Sequence, residues 1–362
     1  MEVLSIVGAR PQFIKAFVVS RELRRGHDEI LVHTGQHYDE ELSDVFFKEL
    51  GIPEPDHNLG IGSNSHATQT ARMMTGLEEL VGEYEPDVLL CYGDTNSTLA
   101  AAIVASKVEV KLAHVEAGLR SFNRDMPEEM NRILTDHASD ILFAPSERAV
   151  DNLEAEGITD GVHNVGDVMY DSLLWACEEG TEHLTIHEDL GVGGTEYLLA
   201  TVHRPRNTDD ENRLETIMAS LAADPREVVL PAHPRTIDRL ERYDLLEMAE
   251  AELTLVDPVG YLDFVALQAG AEIIVTDSGG IQKEAFFLDV PCVTLRGETE
   301  WPETIEAGGN VLVGADADEI DEALTNPPRS SSDAQPYGDG KAGKKIVRTI
   351  ERATGVSLDK EQ

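Results

Sequence analysis

Four groups of residues have the types and spacing to do chemistry on a phosphorylated ligand. In Gly8-Ala9-Arg10-Pro11, running on to Lys15, a glycine closes an apolar run, proline sits at a favoured first helical position, and two cations join the helix start. Unpaired N–H groups there attract anions, so a phosphate or carboxylate site is expected. In Thr276-Asp277-Ser278-Gly279-Gly280-Ile281-Gln282-Lys283-Glu284, small residues let backbone amides approach a diphosphate, and Ser278 adds a hydroxyl. Glu284, one turn beyond Gly280, is spaced to accept bonds from two ribose hydroxyls, so this group reads as a nucleoside diphosphate site.

The third group is acidic: Asp94 in Gly93-Asp94-Thr95-Asn96, Glu116 in His114-Val115-Glu116-Ala117-Gly118-Leu119-Arg120, and Glu128 in Met126-Pro127-Glu128-Glu129. Each alone suits a helix cap. Carboxylates gathered on one rim act as general acid and base, because mutual repulsion and burial separate their proton affinities. The fourth is His203-Arg204, where an imidazole beside a guanidinium can stabilise a departing phosphate. No Gly-x-Gly-x-x-Gly follows a strand and no Walker-type loop exists, and the Tyr337 to Lys341 spacing lies among glycines beside a Pro/Ser-rich linker. No nicotinamide or other cofactor is expected, and the histidines and cysteines show no metal-ligand spacing.

These residues need elements to hold them. Short β-branched or Leu-rich runs ending in Gly, Asp or Ser alternate with longer helical patterns, which is the rhythm of βαβ units. Strands are expected at Val3–Val7, Glu29–His33, Asp87–Tyr92, Val110–Val115 and Ile141–Ala144, then at Tyr197–Val202, Glu227–Leu230, Leu253–Val256, Glu272–Val275 and Cys292–Leu295. Helices are expected at Pro11–Leu23, Glu40–Leu50, Thr68–Gly82, Ser97–Ser106 and Pro127–His137. Such a series implies parallel sheets buried on both faces, with ligands at the carboxyl ends of the strands. The 362 residues suit two domains, divided as 1–166 and 167–339, with a basic helix over 340–355 packing back on the first.

Composition narrows the partners. With 69 acidic and 29 basic residues the net charge is −40, which opposes binding to nucleic acid or anionic membranes. Acids spread along the whole chain, with Lys rarer than Arg, read as a surface adapted to high salt. Cys91, Cys177 and Cys292 read as reduced structural residues of a cytosolic protein. No run approaches the ~18 apolar residues of a membrane span, and the amino end has no export signal.

In this order the motifs resemble the non-hydrolysing UDP-N-acetylglucosamine 2-epimerase family, from Gly8-Ala9-Arg10-Pro11 through Pro127-Glu128-Glu129-Met130-Asn131-Arg132 and Asp277-Ser278-Gly279-Gly280-Ile281-Gln282 to Pro336-Tyr337-Gly338-Asp339-Gly340. The resemblance implies an α/β fold of two Rossmann-like doubly wound domains facing a cleft, of glycosyltransferase-B type, and a homodimer. It also implies inversion at carbon 2 of UDP-N-acetylglucosamine, through loss of UDP to 2-acetamidoglucal and its re-addition. Carried over, Arg10, Lys15, Asp94, Glu116 and Glu128 line the sugar, while His203, Ser278, Gly279, Gly280 and Glu284 hold UDP; Lys15, Asp94, Glu116, Glu128 and His203 carry the catalysis. Pro205 and Arg206 after His203-Arg204, and Trp301 where many relatives have Arg, depart from the pattern. A subgroup acting on UDP-2,3-diacetamido-2,3-dideoxyglucuronate is similar too. A glycosyltransferase of the same architecture would need no second proton-transfer carboxylate.

Overall fold

Apolar residues on both faces of the strands dictate a layered α/β architecture. The structure, a computed structural model, describes residues 1–35, 54–180, 185–331 and 335–356; the Arg10 side chain and the expected helix Glu40–Leu50 lie outside the described residues. The chain divides into two compact units, Met1–Leu174 with Gln335–Gln362, and Trp175–Ala334.

In the first unit β1 (Glu2–Val7), β2 (Asp28–His33), β3 (His57–Asn58), β4 (Val88–Tyr92), β5 (Lys111–Val115), β6 (Ile141–Ala144) and β7 (Val162–Asn164) form one sheet in the order β3-β2-β1-β4-β5-β6-β7. In the second, β8 (Tyr197–Thr201), β9 (Glu227–Pro231), β10 (Thr254–Val256), β11 (Ile273–Thr276), β12 (Cys292–Thr294) and β13 (Asn310–Leu312) run β10-β9-β8-β11-β12-β13. Every pairing is parallel.

Side chains of a strand alternate between faces, and here both faces are apolar. Leu198, Ala200, Val228, Leu230, Ile273 and Val275 belong to one buried cluster, whereas Tyr197, Leu199, Val229, Ile274 and Cys292 belong to another. The first sheet is covered in the same way: Leu4, Ile6, Val32, Leu89 and Cys91 pack with Met73 and Leu77 of the helix His66–Tyr84.

Sheet order fixes where ligands can bind. Strand succession turns outward in opposite directions from β1 and β4, and again from β8 and β11, so each sheet has a switch point where the connections diverge and leave a crevice. Gly8 and Gly93 follow the first pair of strands, and His203 and Asp277 follow the second.

All ten strands read from the sequence are present, with ends shifted by a residue or two, as are the helices Arg10–Leu23, His66–Tyr84, Asn96–Ala105 and Pro127–Ala138. Three strands were not read: β3, β7 and β13. They lie at sheet edges and span only two or three residues, too few to show alternation. The helix Val168–Trp175 lies beyond the expected boundary at 166, yet it is fastened to the first unit. Ser172 Oγ donates to the Ile14 carbonyl at 2.7 Å, and the Asp171 carboxylate accepts from the Ala342 and Gly343 N–H groups at 3.0 and 2.9 Å. Those amides open the helix Ala342–Thr354, which packs on Arg10–Leu23 and comes so close that a Cβ on Gly343 would lie 3.0 Å from the Val18 carbonyl oxygen.

Candidate functional site

The candidate residues of the first unit are assembled by a glutamine. Gln12 is buried in the first turn of the helix Arg10–Leu23; its Oε1 accepts from the Gly8 and Ala9 N–H groups at 2.8 and 3.1 Å, and its Nε2 donates to the Tyr92 carbonyl at 2.6 Å. One side chain thus ties the turn after β1 to the end of β4. Gly8 is needed there for room, because a Cβ would lie 2.1 Å from Ser97 Oγ and 2.3 Å from Thr34 Oγ1.

One turn further on, the Lys15 ammonium pairs with the Glu116 carboxylate, both nearly shielded from solvent at 16% and 6% exposure. Burial works to lower the Lys15 pKa, but the Glu116 charge and hydrogen bond, backed by Asp94 and Asp167, hold it above its ordinary value. Glu116 has a left-handed backbone (φ 70°), a conformation that costs energy for a residue with a side chain and recurs at functional sites. Gly93 (φ 64°) leaves the space above this pair open: a Cβ there would lie 3.4 Å from Lys15 Nζ and 3.5 Å from Glu116 Oε2.

Asp94 has its own cation. Arg132 grips the Asp94 carboxylate with one nitrogen and Glu129 Oε2 with the other at 2.9 Å, while Asn131 Nδ2 donates to the Asp94 carbonyl at 2.9 Å. Glu129 is buried and also accepts from the Ser121 and Phe122 N–H groups at 2.8 and 2.9 Å. Glu128 stands exposed on the first turn of Pro127–Ala138. Lys15, Glu116 and Asp94 are therefore brought together with Arg132, and Arg10 heads the adjoining helix.

The candidate residues of the second unit are organised by Asp277. This carboxylate is completely buried and accepts from the His203 and Arg204 N–H groups at 3.1 and 3.0 Å, from Asn207 Nδ2 at 3.0 Å, and from His203 Nδ1 at 3.1 Å. Burial alone would raise its pKa; these hydrogen bonds and the His203 charge hold it below the ordinary carboxylate value. A carboxylate on Nδ1 orients the His203 ring and leaves Nε2 as its working atom.

Ser278 and Gly279 start the helix Gly279–Phe287, whose cap receives no side-chain hydrogen bond, so its first N–H groups keep their affinity for an anion. A Cβ on Gly280 would meet nothing within 4 Å, and one on Gly279 would face Glu300, Arg204 and Arg296 at 3.2 to 3.7 Å. Arg296 forms a two-point pair with Glu300, both contacts 2.8 Å long. Glu284 is half-buried and accepts from Gln268 Nε2 at 2.9 Å; burial pushes its carboxyl above the ordinary value, against the Gln268 bond and the Lys283 charge. Among the described residues no group of three or more His, Cys, Asp or Glu side chains converges as a metal site, and no helix is long and apolar enough to cross a membrane.

Residues 21–351 match the family model of UDP-N-acetylglucosamine 2-epimerase. The chain belongs to that family. It is 50% identical over 354 residues to a UDP-N-acetylglucosamine 2-epimerase homolog of Methanococcus maripaludis, covering 97% of this chain and 99% of that one. It is 47% identical to the UDP-2,3-diacetamido-2,3-dideoxy-D-glucuronate 2-epimerase of Pseudomonas aeruginosa, over the same shares of the two chains. The crystal structure of Methanocaldococcus jannaschii UDP-GlcNAc 2-epimerase in complex with UDP-GlcNAc and UDP superposes with a TM-score of 0.81 at 40% identity, covering 97% of this chain and all of that one. The two parallel α/β sheets are those of the family fold.

Several residues that hold these clusters were not read from the sequence: Gln12, Glu129 and Arg132 in the first unit, Asn207 and Arg296 in the second, and the organising role of Asp277. For Asp277 a signal was present, since an acid that ends an apolar buried strand must be hydrogen-bonded there. Arg132 follows Glu129 at i+3, which signals a pair on one helix face but not its reach to Asp94.

Proposed function

We propose that this chain interconverts UDP-N-acetylglucosamine and UDP-N-acetylmannosamine by inversion at carbon 2. The observation that carries this reading is the Lys15–Glu116 pair beside Asp94–Arg132, which provides two acids with separate cationic partners in a chain of this family. The sugar is assigned to the first unit and UDP to the second, where Ser278, Gly279, Gly280 and Glu284 lie on one helix.

The chemistry follows from the difficulty of the proton. Hydrogen on carbon 2 of a sugar is scarcely acidic, so the bond from carbon 1 to UDP breaks first and leaves an oxocarbenium-like centre that acidifies its neighbour. A carboxylate then takes the proton, giving 2-acetamidoglucal and UDP. Re-addition of UDP with a proton delivered to the opposite face yields the epimer, so proton-transfer groups are needed on both faces of the ring. Glu116, Asp94 and Glu128 are the proposed proton carriers. Arg10, His203 and the helix-start amides stabilise the departing diphosphate by preorganised charge.

Incubation with UDP-N-acetylglucosamine in D2O tests this: deuterium at carbon 2 of both epimers is expected, and recovery of unlabelled sugar refutes it. The same assay with UDP-2,3-diacetamido-2,3-dideoxyglucuronate addresses a second reading. That reading is supported by the 47% identity to the Pseudomonas enzyme, above the 40% to the Methanocaldococcus structure and below the 50% to the Methanococcus maripaludis UDP-N-acetylglucosamine 2-epimerase homolog. Faster exchange with the uronate would establish it.

We further propose a cytoplasmic homodimer that works at high salt and supplies an activated 2-acetamido sugar for polysaccharide assembly. Ile103 and Leu134 are exposed on helices that pack side by side, Asn96–Ala105 and Pro127–Ala138, and they support a partner surface. The charge of −40 supports the salt.

A further inference from the structure

We propose that His114 is held as an imidazolium between Asp136 and the carbonyl of Gly93, and that this buried pair positions both turns bearing the acidic residues Asp94 and Glu116 of the first unit. The inference rests on the epimerase reading for its catalytic consequence; the charge state is argued from the partners of the two ring nitrogens and of Asp136.

His114 and Asp136 are both completely buried. The His114 ring places Nδ1 2.7 Å from Asp136 Oδ1 and Nε2 2.8 Å from the Gly93 carbonyl oxygen. A carbonyl can only accept, and an ionised carboxylate can only accept. Asp136 is ionised on partners other than His114: burial works against the charge, but its Oδ2 meets Arg120 Nη1 and accepts from the Gly118 N–H, and the Arg120 charge helps hold its carboxyl below the ordinary value. Both ring nitrogens must therefore donate, and a ring with two N–H groups is a cation. The charges balance, because Asp136 Oδ2 also meets Arg120 Nη1 at 2.7 Å, and Arg120 pairs with Glu156 at 2.7 Å. Two buried or half-buried carboxylates thus face one guanidinium and one imidazolium. His137 Nε2 lies 3.4 Å from Glu156 at the solvent side, and the Cys91 thiol feels the Asp136 charge from the sheet.

Two turns hang on this pair. Through Nε2 it fixes the carbonyl of Gly93, the residue lying over Lys15 and Glu116 and preceding Asp94. Through Asp136 Oδ2 it accepts from the Gly118 N–H at 3.1 Å, anchoring the backbone two residues after Glu116. Gly118 leaves no room for a side chain: its φ is 82° and a Cβ there would lie 2.2 Å from the Ala149 carbonyl oxygen. Holding reacting groups within a fraction of an ångström of their working geometry is where buried positioning bonds contribute to rate. His114 touches no reacting atom and is a positioning residue.

Nitrogen-15 NMR of the histidine-labelled enzyme at pH 7.5, with His114 assigned by substitution, reads the charge state directly. Two protonated ring nitrogens are expected; one unprotonated nitrogen overturns the proposal. Kinetics read the consequence. His114→Phe should lower kcat by about 100-fold with KM and UDP binding unchanged, and His114→Gln, which keeps an N–H donor, should lose about tenfold less. If His114→Phe does not fold, His114→Gln and the spectrum decide. Parental kcat in either folded variant, or a loss of UDP binding equal to the loss of kcat, overturns the positioning role. A parent that shows no exchange at carbon 2 would refute the epimerase reading while the NMR result still judged the imidazolium.

Discussion

A carboxylate pressed against an ammonium inside a protein is a poor base unless something makes it reactive, and Glu116 is such a group. Lys15 pairs with it and holds its direction, and substrate entering above the open Gly93 face would compete for that ammonium. Glu116→Gln keeps the shape, removes the proton acceptor and leaves Lys15 buried beside a neutral amide. Turnover should fall by about 10²- to 10⁴-fold, the usual contribution of a positioned acid or base, while UDP affinity measured by calorimetry stays at the parental value. Parental activity would remove Glu116 from the mechanism. Asp94 and Glu116 were legible in the sequence as polar residues just after apolar strands, at the sheet's carboxyl edge, and Lys15 as a cation near the start of the helix that follows the first strand. Arg132 and Asp136 were not, because each sits within a helix whose amphipathic pattern reads only as surface and core. Their meaning comes from partners 38 and 22 residues away.

Elements carry a different kind of information. Central strands announce themselves by burial on both faces, whereas β3, β7 and β13 owe their pairing to a neighbour already in place. The returning helix Ala342–Thr354 was legible as a basic segment after the Pro/Ser-rich stretch, but its latch was not. That latch is Asp171, which caps two amides of the helix with its carboxylate. Burial pushes the Asp171 carboxyl up to about 6 from 3.8, opposed by those two amides and helped by the charges of Asp167 and Asp339. A folded value above the unfolded one means that the native state binds the proton more tightly, so ionisation destabilises. The cost is absent below the unfolded value, grows as pH rises through 4 to 6, and is complete at pH 7. Asp171→Asn removes the charge and keeps one acceptor. Its melting temperature should match the parent's near pH 4 and exceed it at pH 7, by an amount worth at most about 3 kcal/mol. A gap that stays constant with pH would show that Asp171 acts only through its hydrogen bonds.

At the scale of the whole molecule the governing quantity is the excess of acids. Salt has opposing effects on such a chain: it weakens ion pairs such as Arg226–Asp224 and Arg235–Asp209, and it screens repulsion among unpaired carboxylates. The count decides between them. Even if all 29 Lys and Arg were paired one to one, 40 of the 69 acids would have no cation. Surface pairs contribute about 0 to 1 kcal/mol each and many contribute nothing, while repulsion is summed over every pair of the surplus. At ~0.1 M salt the screening length is about 10 Å, long enough for neighbouring surface acids to repel; at ~1 M it is about 3 Å and they no longer do. The thermal unfolding midpoint should therefore rise as KCl increases from ~0.1 M to ~2 M, with most of the gain below ~1 M because the screening length changes most there. Sucrose stabilises by exclusion rather than screening and should give a shallower, linear rise. A midpoint that is flat or falling in KCl would mean that the ion pairs outweigh the surplus, and the acidic surface would need another explanation.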